Sequence, residues 1–209
     1  GAPLLPLRDV HGTGRDAVLT DVSGPWPVVR VTDAVSRAVG RPVSVDTDLD
    51  ELLEVAAEHE VGIGPGKGAG AVLEELYGEL VEPATIHPTF YCDFPAETSP
   101  LTAPHRGVPG LVERWDLVAN GMEIGTAYSE LTDPVEQRRR LTEQSLKAAA
   151  GDVEAMEIDE DFLYALETGM PPAGGLGIGV DRLVMLLTDS TTIREVLTVP
   201  FVRPSSQRP

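Results

Sequence analysis

Gly174-Gly175-Leu176-Gly177-Ile178-Gly179-Val180-Asp181-Arg182-Leu183-Val184-Met185-Leu186-Leu187 places glycine at every second position and then becomes an apolar run with an arginine near its start. A period of two belongs to an extended strand, whose side chains point alternately to opposite faces. Glycine at 175, 177 and 179 strips one face, so backbone or a flat ligand can approach closely. The apolar run reads as a helix with Arg182, a buried-looking arginine, in its first turn. A guanidinium fixed where a strand becomes a helix suits phosphate oxygens, which it forks, or a nucleobase, on which it stacks.

Upstream lies a second extended pattern. Glu113–Ala119 and Met122–Tyr128 read as two strands joined by Asn120-Gly121, a strong two-residue hairpin signal. Simple alternation puts Arg114, Asp116 and Val118 on one face and Trp115 and Leu117 on the other. On the return strand Glu123 shares its phase with Gly125 and Ala127, whereas Thr126, Tyr128 and Glu130 share the opposite phase. Asp116 and Glu123 flank the turn. Carboxylates that close repel one another, and a divalent cation such as Mg²⁺ reconciles them; an ordinary solvated hairpin face is the reading that pattern alone favours. Glu130, beside Tyr128, suits a substrate ammonium or a plain surface acid.

The remaining chain reads as helices around this sheet. Thr32 is expected to cap a helix over Asp33–Val39 closed by Gly40, and Asp46 or Thr47 to start a second, with Leu49, Leu52, Leu53 and Ala56 on one face. A third runs from about Ala69 to Leu80, and Thr89–Phe94 forms a strand. Asp133-Pro134 opens a helix to Ala150, stopped at Gly151, and Asp159–Glu167 forms another. Residues 1–27 are expected as an irregular lead-in with one short strand near Val18–Val22, residues 28–204 as the folded domain, and 205–209 as a tail. The predicted class is α+β, an antiparallel sheet flanked by helices.

Composition narrows the function. Net charge is −18 over 209 residues, which argues against a broad nucleic-acid surface. An apolar share of 42% supports a packed core. One cysteine, Cys92, excludes an internal disulfide and a cysteine zinc cage. No run approaches the roughly 20 apolar residues that a bilayer needs, and a cytoplasmic location is expected. Gly64-Pro65-Gly66-Lys67-Gly68 lacks the spacing of a phosphate loop, because Lys67 is followed by glycine. The four histidines have no ligand spacing.

Three segments in order, His87-Pro88-Thr89-Phe90 through Phe94-Pro95-Ala96-Glu97-Thr98-Ser99-Pro100-Leu101, Arg114-Trp115-Asp116-Leu117 through Glu123-Ile124-Gly125-Thr126-Ala127-Tyr128-Ser129-Glu130-Leu131, and Gly175 to Arg182, resemble the C-terminal half of a class II lysyl-tRNA synthetase catalytic domain. The likeness is closest to the actinobacterial type, including the synthetase domain of lysyl-phosphatidylglycerol proteins, and the last segment resembles motif 3. It implies ATP-dependent activation of lysine to lysyl-adenylate and transfer to tRNA. The alternatives are a non-catalytic ligand-binding or regulatory remnant, and a lysyl transferase to protein or lipid. By the same likeness Arg182, Gly177 and Gly179 would lie against ATP, Asp116 and Glu123 would hold Mg²⁺ at the nucleotide, and Tyr128, Glu130, Thr126 and Gly177 would enclose lysine. Arg182 and Glu123 would be the catalytic pair, and the family is homodimeric. Asp116 and Thr126 stand where that family usually carries Glu and Asn. Motifs 1 and 2, and an anticodon-binding barrel, are not recognised.

Overall fold

A computed structural model describes residues 2–8, 16–149 and 156–200. Its centre is a five-stranded sheet in the order β3 (Val28–Arg30), β4 (Thr89–Pro95), β5 (Leu111–Ala119), β6 (Met122–Ser129) and β7 (Gly174–Ile178). Every neighbouring pair is antiparallel except β3 and β4, which run parallel. The class is the α+β expected. A separate hairpin pairs β1 (Leu4–Leu7) with β2 (Val18–Asp21). The strand expected near Val18–Val22 is β2, and the lead-in is more regular than its sequence implies: Pro6 lies inside β1, and Pro25 and Pro27 precede β3, so punctuation by proline hid β1 and β3.

Of three helices, α1 (Val31–Val39), α2 (Leu49–Glu58) and α3 (Ala69–Leu80), α1 and α2 each pack against α3, α1 and α3 lie on β4, and α1 also meets β3. Their apolar faces (Val35, Leu52, Val55, Val72, Leu73, Leu76) close the main core over Tyr91, Phe94, Val112 and Val118. The predicted boundaries shift at the starts. The first helix begins at Val31 with Arg30 in the cap position, and Gly40 ends it with φ 72°. Asp48 caps the second, accepting the Asp50 N–H, and Leu53 is left exposed.

Further on come α4 (Pro134–Ala149), α5 (Glu160–Thr168) and α6 (Val180–Thr188). Asp133 Oδ1 accepts the Val135 N–H at 2.9 Å, the cap its place before Pro134 implies. The expected stop at Gly151 and the tail at 205–209 lie outside the described residues. A second, smaller core forms on the opposite face of the sheet, where Leu186 and Leu183 of α6 meet Ala119, Ile124 and Leu117, with Leu7 of the first hairpin sealing it. Arg8 ties that hairpin down: its side chain pairs with Asp189 and its N–H donates to Asn120 Oδ1 at 2.7 Å. Among the described residues no helix is long and apolar enough to cross a membrane.

Candidate functional site

The Asn120-Gly121 turn, with both φ values positive, returns β6 beside β5 as the sequence predicts. The register pairs Arg114 with Tyr128 and Asp116 with Thr126. One irregularity then changes the pattern: Leu117 faces Gly125, yet Val118 faces Glu123, leaving Ile124 as an extra residue. This bulge resets the alternation. Glu123 joins the face that carries Arg114, Asp116, Thr126 and Tyr128, whereas unbroken alternation assigns it to the other. Ile124 is freed to enter the second core.

On the far side of β6, β7 pairs Thr126 with Gly177 and Tyr128 with Gly175. The two glycines thus lie on the face of those two side chains. Their roles differ. A Cβ on Gly175 would run into Glu130 Oε1, so the Glu130 carboxylate lies directly over that residue. A Cβ on Gly177 would meet only the Thr126 methyl, at 4.0 Å, and its surroundings are otherwise open. Gly179, expected as the third bare position of the strand, falls after β7 and caps α6, its N–H donating to Ile124 O at 2.9 Å.

Arg182 occupies the first turn of α6. It is half exposed, not buried. Its Nη1 donates to Glu123 O at 2.8 Å and stands 3.8 Å from the Glu123 carboxylate. A cavity of about 370 Å³ is bounded by Glu123, Ile124, Gly179, Asp181, Arg182 and Ile193. Burial raises the Glu123 carboxyl above its ordinary value, the Asp116 charge adds to this, and Arg182 opposes it.

Asp116 is held differently from its expected role as an ion ligand. It is 2% exposed. Arg114 donates from Nε to Oδ1 at 3.1 Å and from Nη2 to Oδ2 at 2.7 Å, and the Thr126 hydroxyl donates to Oδ1 at 2.5 Å. Both oxygens are therefore engaged inside the protein. Arg114 also reaches Glu74 and Ser99 and lies 3.9 Å over the Phe94 ring. Because Thr126 turns its hydroxyl inward, it presents its methyl toward Gly177. Arg114 and Glu74 are site-building residues to which the sequence assigned no role; the signals for Arg114 were its phase, shared with Asp116, and its place at the start of the second family-like segment.

Glu130 ends the row. A bridge to Thr102 and the N–H bond to Ala173 O at 3.0 Å fix its backbone. Among the described residues its carboxylate has no cation or hydrogen-bond donor. Along β6 the floor thus runs from Glu123 and Arg182, past the Thr126 methyl and the Tyr128 ring, to an unpaired acid. At roughly 3.3 Å per residue it spans about 20 Å.

A magnesium ion fits this site in part. Glu123 offers a carboxylate whose charge is crowded by neighbouring acids, which a cation relieves. Asp116 as arranged offers none. Among the described residues no group of three or more acids, histidines or cysteines is disposed as a metal cage. Another cavity, of about 390 Å³, lies between α3 and α4, but its charges close on themselves: Lys67 with Glu75, and Lys147 with Glu97 at 2.8 Å.

Residues 7–203 match the family of class II tRNA synthetases (D, K and N). Similar relatives include proteins named lysylphosphatidylglycerol biosynthesis bifunctional protein LysX. That of Mycobacterium marinum is 56% identical over 204 residues, covering 98% of this chain and 18% of the relative. That of Mycolicibacterium vanbaalenii is 59% identical over 191 residues, covering 90% and 17%. That of Nocardia farcinica is 58% identical over 193 residues, covering 91% and 17%. The chain spans less than a fifth of the length of these relatives.

Proposed function

The chain belongs to the class II tRNA synthetases (D, K and N), and on that premise we propose that its β6–β7 floor binds lysine and ATP for the formation of lysyl-adenylate. The observation that carries the reading is Glu130: a carboxylate without a partner among the described residues, laid over Gly175 at the end of an apolar strip. Such an acid takes an ammonium, and the strip from Thr126 to Tyr128 takes the methylenes leading to it. An uncharged analogue of lysine would leave the acid without a partner, which is a strong ground for rejection.

The nucleotide lies at the opposite end. Arg182 stacks on its base or forks its phosphate oxygens, and Gly177 and Gly179 leave room for it beside β6. Glu123 would hold Mg²⁺ there, and the ion would supply positive charge against the phosphates. The lysine carboxylate oxygen attacks the α-phosphorus as the bond to pyrophosphate breaks. This chain's part is alignment: Glu130 fixes the amino acid by its far end, Arg182 fixes the phosphates, and β6 sets the distance between them. Asp116 acts through Arg114 and Thr126, keeping the floor in shape.

Two acceptors follow for the lysyl group, tRNA from the family and a lipid from the names of the relatives. Calorimetry with lysine and with ATP·Mg²⁺ tests the binding, and lysine-dependent pyrophosphate exchange tests the chemistry, on this chain and within a longer chain. Lysyl-adenylate offered to tRNA and to phosphatidylglycerol vesicles separates the acceptors. Absence of lysine and ATP binding in both chains contradicts the reading.

A further inference from the structure

The connection after α3 is strapped to the tip of the β5–β6 hairpin by three hydrogen bonds. The Gly121 N–H donates to Thr85 O at 2.8 Å, and the Asn120 N–H to Ile86 O at 2.9 Å. Both are backbone bonds that many sequences could make. The third depends on a side chain: the Glu123 N–H donates to Glu82 Oε1 at 3.2 Å. It is made at the bulge, beside the extra residue Ile124. Glu82 is itself fixed. Its N–H donates to Tyr77 O at 3.1 Å, and its carbonyl accepts the Thr85 N–H at 3.0 Å. The carboxylate therefore reaches the bulge from rigid backbone at the end of α3.

A bulge is a local choice between registers, and a shift of one residue sends a side chain to the other face. We propose that Glu82 is the positioning residue of Glu123: by accepting the Glu123 N–H it holds the bulge and keeps the Glu123 carboxylate on the face with Thr126 and Tyr128, beside Arg182. The value of this for function rests on the ATP reading given above. The acceptor oxygen does the work, not the negative charge. Glutamine at 82 keeps an oxygen at the same reach, and alanine does not. Were Glu82 only a further negative charge near the nucleotide, the two substitutions would act alike.

The test compares the unsubstituted chain with Glu82→Gln and Glu82→Ala by amide hydrogen exchange at Glu123 and by calorimetry with ATP·Mg²⁺ and, separately, with lysine. Loss of one acceptor should speed exchange at Glu123 and weaken ATP·Mg²⁺ about tenfold each in Glu82→Ala. Lysine affinity should stay within about twofold, since Glu130 lies at the other end of the floor. Glu82→Gln should stay within about twofold of the unsubstituted chain on all three readouts. Unchanged Glu123 exchange in Glu82→Ala overturns the proposal, as does equal loss of ATP·Mg²⁺ affinity in both variants. If the unsubstituted chain binds no nucleotide, the reading of the site fails, and the exchange comparison alone upholds or overturns the placement of Glu123 by Glu82.

Discussion

Single residues divide into those that build the floor and those whose side chains stay open on it. Asp116 is a builder. Its side chain is 3% exposed and that of Arg114 14%, so removing the acid strands a buried guanidinium with Glu74 as its remaining carboxylate partner. Asp116→Ala should cost about 3 kcal/mol in urea unfolding. Glu130 is an open one. Glu130→Gln should weaken lysine at least about tenfold in calorimetry while ATP stays within about twofold. Two glycines offer a paired contrast. A Cβ on Gly125 would stand 2.8 Å from the Gly177 carbonyl, against rigid backbone, so Gly125→Ala should lower stability by about 2 kcal/mol. A Cβ on Gly175 meets only the movable end of Glu130, so Gly175→Ala should leave the melting temperature nearly unchanged and still impair lysine binding. Residue types announced Glu130 and Arg182 as candidates. They could not announce that Thr126 bonds Asp116 and offers a methyl, because that depends on which acceptor is nearest in space.

At the level of elements, the hairpin was legible because its signals are local: β-rich alternation, then Asn-Gly, then alternation again. The bulge was not. It arises where α3 and the turn after it meet the strand, and nothing in the sequence from Met122 to Gly125 marks it. The same limit explains Gly179, whose spacing extends the strand pattern while α6 claims it as a cap. Helix α4 carries a prediction of its own. Glu136 bonds Arg139 and Arg140, and the Arg139 bond above all pulls its carboxyl down to about 2, from 4.5. A carboxyl lowered in the folded state stabilises above its unfolded value and loses that contribution as pH falls through the folded one. Glu136→Gln should therefore lower the melting temperature at pH 7, with the difference closing between pH 4.5 and about 2.

At the scale of the molecule, the five-stranded sheet is unequally covered. Helices α1–α3 cover the β3–β4 side of one face, α6 and the first hairpin seal part of the other, and β7 stays exposed along most of its length. What is left open on the first face is the strip with Thr126, Tyr128 and Glu123. The fold class could be read from the order of patterns along the chain, and the three ordered motifs located the strip. Strands β1 and β3, the partners of the expected β2 and β4, escaped because short strands among prolines leave almost no periodicity to read. The most direct test of the account is an amide-shift map of the ¹⁵N-labelled chain titrated with ATP·Mg²⁺ and then with lysine. Nucleotide should shift Glu123, Gly177 and Gly179, and lysine should shift Tyr128, Glu130 and Gly175. Shifts confined to the cavity between α3 and α4, around Lys67, Glu97 and Lys147, with β6 and β7 unmoved, would contradict it.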